Sequence, residues 1–435
     1  MAGPAILSEC CICQAPLDIC RKGNGDIFPC QVTGEYHFCS DTCRDLAKHG
    51  GWEKGMDRSP REMFLEGRKT VIPPCDGCKE AGRKSNQIHT SGVCWNCLTV
   101  SCGECISVRR VFNGMKCYKC GSDLLDMKGL RHAYETCNDV PKHRIISRIY
   151  GSQLEKKGKQ EWADTVIQMA MDLGDLESHY GDLSKYGKPG KEDEDLILNY
   201  FYLAVLGHPA AQTTVGRLWE EGLVPGGVSQ GSKYKQMFWY DQAGRGGDSI
   251  ACFNIGMIYK EFKDFPRFLW CLRESGRLGF EEAYHELGVY WKNLGKNDLA
   301  RENFNKGFDI KPGLCTVQVG IGISSGLYGY EQDIEKGKKI VEKIYEAGKN
   351  YEKGTSLYRA YVIARDWLGS VYYNDPSISV TVKGFPEDKD KALDFFMEGL
   401  EDNDRICMIL LGKILVKRGD VKRGEELMNR AVSLT

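Results

Sequence analysis

An excess of charge of either sign is missing from this sequence: its formal net charge at pH 7 is −1 over 435 residues. No global field therefore draws it to nucleic acid or to an anionic membrane surface. Long apolar runs are missing as well. None approaches the roughly 18 residues that a membrane span requires. The opening MAGPAILSECC has no basic stretch leading into a long apolar core, so no export signal is expected. Histidine is scarce at eight residues, and His132, His143, His179, His208 and His285 stand apart from any Ser or Cys nucleophile motif. Neither a Walker A loop nor a G-x-G-x-x-G behind a strand pattern occurs, which removes the commonest phosphate and dinucleotide cradles. The expectation is a cytoplasmic or nuclear chain of two or three domains with no catalytic side chains of its own.

Cysteine, by contrast, is abundant and uneven. Fifteen of the 20 lie between Cys10 and Cys120; Cys137, Cys252, Cys271, Cys315 and Cys407 follow in helical patterns, where a lone Cys is usually a small buried hydrophobe. Without export, the dense region reads as metal sites rather than disulfides. Its clearest part is four C-x-x-C pairs: Cys75/Cys78, Cys94/Cys97, Cys102/Cys105 and Cys117/Cys120. Each such turn brings two thiolates to one ion, and two turns complete a closed tetrahedral zinc site with no position left for water. So short a segment builds little apolar core, so zinc binding must supply its folding free energy. The gap between Cys97 and Cys102 favours interleaving, with the first and third pairs on one zinc and the second and fourth on another. This stretch resembles RING and FYVE cross-brace fingers. Asp76-Gly77 and Gly121 stand where RING ligases carry the residues that grip a ubiquitin-conjugating enzyme, and the basic lipid-binding motif of FYVE fingers is replaced by His89-Thr90-Ser91-Gly92-Val93.

Ahead of it, Cys10/Cys13 and Cys39/Cys43 form a second four-sulfur candidate, the latter pair leading into the helix-like RDLAKH. The F-C-S-x-x-C hook resembles MYM-, TRASH- or MYND-type treble-clef fingers. A further site could draw on Cys30 and His37, with Cys20 or His49, giving three zinc ions or four. An alternative grouping takes Cys10-Cys11-Ile12-Cys13 as the opening of a ligase RING, with Cys30, His37, Cys39, Cys43 and Cys75/Cys78 completing it. That grouping strands six cysteines downstream.

After His143 the texture changes to amphipathic helices with recurring small residues, the mark of a repeat array. An apolar residue followed by glycine recurs at Gly216, Gly256, Gly288, Gly320, Gly369 and Gly412, and a second small position at Ala170, Ala204, Ala243, Ser275, Gly307, Ala347, Gly399 and Ala431. Two antiparallel helices crossing closely need a residue without bulk at the crossing, and a hairpin that cannot bury its apolar face alone stacks on its neighbours. Trp219, Trp239, Trp270, Trp291 and Trp367 are expected to fill the gaps between hairpins. Ala251 through Ile255-Gly256 to Tyr259, and Leu173-Gly174-Asp175 through His179-Tyr180, resemble Sel-like repeats, relatives of the tetratricopeptide repeat. The order of finger then array is similar to that of RING-plus-Sel-like-repeat proteins of diatoms and related algae.

The resulting plan is small, irregular, zinc-stapled α+β fingers followed by an all-α solenoid. Residues 8–50 form a treble-clef-like finger, 51–74 a linker, 75–125 a cross-brace finger, and 145–435 about eight hairpins. The hairpins after Asn350 are degenerate, and an insertion at 374–387 breaks the period. What the resemblance implies is an adaptor that binds other proteins through solenoid and fingers. The alternative is a RING-type ubiquitin ligase that recruits a conjugating enzyme to the finger and holds a substrate on the solenoid.

Overall fold

The computed structural model describes residues 41–49, 62, and 126–434 apart from 139, 191 and 225–232, with the backbone of 32–33, 36–37, 90–93 and 100–102. The chain divides into two compact units, residues 1–271 and 272–435. Among the described residues, no helix is long and apolar enough to cross a membrane.

Two antiparallel hairpins and one helix represent the cysteine-rich part. Strand β1 (Val32–Thr33) pairs with β2 (Tyr36–His37), with Val32 opposite His37, and helix α1 (Asp41–His49) follows where RDLAKH suggested one. Strand β3 (Thr90–Val93) pairs with β4 (Val100–Cys102), with Thr90 opposite Cys102.

Helix α2 (Met127–Thr136) leads into paired helices, beginning ahead of residue 145. The pairs in the first unit are α3 (Val140–Lys156) with α4 (Gln160–Asp172), α5 (Leu176–Ser184) with α6 (Glu194–Val205), and α7 (Pro209–Glu220) with α8 (Lys233–Arg245). Helix α9 (Ser249–Glu261) then pairs with α10 (Phe265–Arg277). The second unit carries α11 (Glu281–Asn293) with α12 (Asn297–Phe308), α13 (Leu314–Ser325) with α14 (Ile334–Gly348), α15 (Ser356–Tyr373) with α16 (Lys389–Glu401), and α17 (Arg405–Lys417) with α18 (Val421–Ser433). Eight hairpins result, and each of the eight second small positions read from the sequence falls on the second helix of one of them.

Starts and stops are chemical. Asp175, Asp248, Asp333, Asp388, Asp404 and Asp420 cap the helices that follow, each accepting a backbone N–H from the first turn. Gly207 and Gly247, at φ 96° and 92°, turn the chain between hairpins in a conformation that side chains with a Cβ resist.

Glycine at the crossings is a steric demand. A Cβ on Gly288 would lie 2.3 Å from the ring of Phe304, one on Gly216 2.5 Å from Tyr240, and one on Gly369 2.6 Å from Phe396. The same aromatic-on-glycine stack thus holds three different hairpins together. A mid-helix glycine costs roughly 1 kcal/mol against Ala, which the close approach of two apolar faces offsets. The junction to the next hairpin repeats the device: Gly244 faces Cys252, Gly276 faces Tyr284, Gly307 faces Cys315 and Gly399 faces Cys407. Those three cysteines and Cys271 are buried, as the helical pattern suggested.

In the first unit a core formed by Ile197, Phe201, Val215, Trp219 and Trp239 extends to Cys43, Leu46 and Ala47 of α1, so that helix is packed on α6. In the second unit the insertion at 374–387 is more than a loop. Asn374 ends α15 in the left-handed region, and Ile378, Val382 and Phe385 then turn inward. The Phe385 ring lies edge-on to Trp367 and Tyr372, at 5.7 and 5.2 Å between centroids. The period breaks, but the inserted residues join the core.

Some expectations fail. Cys137, at the C-cap of α2, and Trp291 are only half-buried. Trp219, Trp239 and Trp367 are buried between helices, but Trp270 is 60% exposed. It lies on the face of α10 turned away from Phe268 and Leu272, which are themselves fully buried.

Candidate binding cleft

Trp270 stands beside an open cavity of about 560 Å³ whose lining residues come from three consecutive helices and all lie within residues 1–271. Cys252, Ile255 and Tyr259 of α9 make its floor. Tyr240 and Gly244 of α8 form one wall, and Pro266, Trp270 and Cys271 of α10 the other. Arg245 and Asp241 sit on the α8 rim and Arg267 on the α10 rim. Helical spacing explains the walls: 240, 241, 244 and 245 share one stripe of α8, as 266, 267, 270 and 271 do on α10. The rim ions are surface pairs, with Arg245 Nε 2.7 Å from Asp241 and Arg267 Nη1 3.3 Å from Asp264. Arg267 also lies over the Tyr259 ring at 5.4 Å. An apolar floor, aromatic walls and guanidinium groups at the mouth make a surface suited to an apolar side chain with polar neighbours.

The expected zinc ligands fall mostly elsewhere. Cys10, Cys13, Cys30, Cys39, Cys75, Cys78, Cys94, Cys97, Cys105, Cys117 and Cys120 lie outside the described residues. His37 closes β2 and Cys102 closes β4. Cys43 lies in the first turn of α1 and is fully buried.

The titratable groups in the two cores serve the fold. His208 caps α7: Ala211 N donates to its Nδ1 at 3.1 Å, which leaves the proton on Nε2, 3.1 Å from Glu177. Its ring stacks on Tyr180 at 4.7 Å. Glu281, wholly buried, accepts from the backbone N–H of Cys315 at the start of α13; its other oxygen is unpartnered, and burial raises its pKa. Arg365 is also wholly buried, 2.9 Å from Asp402, 3.0 Å from Asp404 and 3.3 Å from Asp366. Asp366, Asp404 and Cys407 come within 4.8 Å of one another, but the Arg365 guanidinium already pairs with both carboxylates. None of this was visible as a site in the sequence, where Arg365-Asp366 reads as two charges on a helix surface.

His285 gives a direct expectation. Burial pulls its pKa down to about 4, whereas the unfolded chain titrates near 6.5. A depressed pKa means stability that is present above pH 6.5 and lost as pH falls toward 4. Between pH 7.5 and 5 that loss should be about 2 kcal/mol. Denaturant unfolding at a series of pH values should show His285→Phe with a flatter profile than the parent; an unchanged slope would exclude this residue as the cause.

In class, then, the described part is a helical-repeat protein whose stacked hairpins present an aromatic cleft. No family model matches the chain, and no curated protein matches it. Among solved structures it is similar to a Sel1 repeat protein from Oxalobacter formigenes, at 18% identity and TM-score 0.41, over 66% of this chain and 96% of that one. It is also similar to c5321, a protective antigen present in uropathogenic Escherichia coli strains displaying an SLR fold, at 16% identity and TM-score 0.40. That match covers 71% of this chain and 72% of the other.

Proposed function

We propose that this protein is a zinc-stapled scaffold that binds other proteins, with the fingers and a Sel-like array as separate recognition surfaces. The observation that carries the reading is the cleft at Trp270. Trp219, Trp239 and Trp367 are buried within the repeats, whereas Trp270 is held in water beside an apolar cavity. Exposed aromatic and arginine side chains around a pocket are the usual anchors of protein interfaces.

Zinc in the fingers is supported by the four C-x-x-C pairs and by the spacing of Cys39 and Cys43, the latter in the first turn of α1. Metal analysis of the full chain should return three or four zinc ions per molecule, and a metal-free, folded preparation would sink this half of the reading. The same preparation separates scaffold from ligase. Mixed with ubiquitin-charged conjugating enzymes, it should leave the thioesters intact. Acceleration that disappears in Cys94→Ala would replace the scaffold by a ubiquitin ligase.

A further inference from the structure

We propose that the cleft between α8, α9 and α10 takes an aromatic side chain from a partner polypeptide, with an acidic residue beside it in that partner. The inference rests on the scaffold reading and names the chemistry of one of its partners.

The argument comes from comparing one junction with its copies. In four places a glycine of one hairpin faces, eight residues on, a residue in the first turn of the next hairpin's first helix: Gly244–Cys252, Gly276–Tyr284, Gly307–Cys315 and Gly399–Cys407. At Gly276 the Tyr284 ring occupies the space, coming within 2.7 Å of where a Cβ would be. At Gly348 the base of the Tyr361 side chain, its Cβ, closes the same space. At Gly307 and Gly399 the partner is a small cysteine, and other groups of the chain close in. Tyr328 and Tyr330 pack around the first, and the Arg365 guanidinium lies 3.2 Å from a Cβ on Gly399. At Gly244 the partner is again a cysteine, but here the cavity of about 560 Å³ remains open toward Trp270. The missing group has the chemistry of the tyrosine that the chain itself supplies at Gly276. An incoming ring would meet Tyr240, Ile255, Tyr259 and Trp270, and offset or edge contacts with such rings add to the burial of apolar area.

The mouth sets the flanking charge. Arg245 and Arg267 face each other across the cleft, each engaged by a single exposed aspartate pair worth little in water. A guanidinium offers five N–H donors, so both retain donors for a carboxylate on the partner. Two arginines against Asp241 alone among the charged lining residues leave the lining cationic.

The test uses the full chain and fluorescein-labelled nonapeptides with a central Trp, Tyr or Phe flanked by Asp and Glu, read by fluorescence polarisation. Binding is expected for these peptides, and about tenfold weaker for the same peptides with Ala at the centre or Lys at the flanks. Cys252→Tyr, which inserts the ring that the Gly276 junction already tolerates, should abolish binding while leaving the far-UV circular dichroism unchanged. If that variant misfolds, Arg245→Glu/Arg267→Glu gives the same readout from the surface, with preference switching to the Lys-flanked peptides. Peptide binding indifferent to both variants would overturn the proposal, as would equal binding of the Ala-centred peptides. Binding of p-cresol as tight as that of the peptides would mark a small-molecule site and overturn it too. If no aromatic peptide binds, the occupant named here is wrong, whereas the broader scaffold reading stands or falls on the ubiquitin-discharge experiment.

Discussion

Arg365→Met should destabilise the second unit by about 3–5 kcal/mol, the range seen when one partner of a buried ionic cluster is removed. The guanidinium is wholly buried and is the common partner of Asp366, Asp402 and Asp404. Methionine matches much of its length, so the loss is one of charge more than of packing. Lys353 stays 3.0 Å from Asp402, but Asp366 and Asp404 lose their cation inside the core. Burial and the neighbouring Asp404 already push Asp366 up to about 6, against the opposing pull of Arg365. Without that pull its pKa must rise further. A raised carboxylate pKa means stability that is present at low pH and lost as pH climbs through the folded value. The deficit of the variant should therefore shrink on going from pH 7.5 to pH 5, and Arg365→Met/Asp366→Asn should recover part of it at neutral pH. Chemical denaturation at the two pH values decides the matter; a deficit independent of pH would mean that the arginine contributes by packing alone.

Phe304→Ala should cost about 4 kcal/mol, the usual toll of emptying a phenylalanine-sized space in a core. Its ring is fully buried, lies on Gly288, and has Tyr328 at 5.4 Å and His285 at 6.2 Å between ring centroids. The glycine makes a sharper test possible. Gly288→Leu in the parent drives a side chain into that ring and should destabilise by about 1–3 kcal/mol, as overpacking does. In Phe304→Ala the same leucine enters vacated space and should stabilise. The change of sign between the two backgrounds, measured as a double-mutant cycle, would establish that glycine and ring are chosen together. Additive effects would refute it.

How much of this could be read beforehand follows from what a linear pattern records. Spacing of small residues gave the hairpins, because each crossing demands a missing Cβ and the demand recurs with the unit. All eight second positions landed on second helices, and Cys252, Cys315 and Cys407 proved to be the small buried groups their setting suggested. The first hairpin was harder. Its crossing glycine, Gly151, faces Ile167 rather than a ring, so no aromatic marks the repeat. The cleft was illegible for a different reason. Trp270 stands five residues before the small position Ser275, where the buried Trp239 stands four before Ala243, and that one-residue offset turns it to the outer face of α10. Arg365 was hidden because its carboxylates at 402 and 404 arrive from a different turn of the chain.

The packing of α1 on α6 has a consequence for how this protein can change. Helix α1, which carries Cys43 in its first turn, contributes Cys43, Leu46 and Ala47 to the same core as Ile197 and Phe201. Its apolar face and that of the receiving hairpins must be inherited as a matched set. A substitution on one side selects for an answering change on the other, whereas the hairpins farther along remain free to multiply or drift. Grafting the first cysteine cluster onto an unrelated array would leave that face without its counterpart, so this end of the molecule is not an exchangeable cassette.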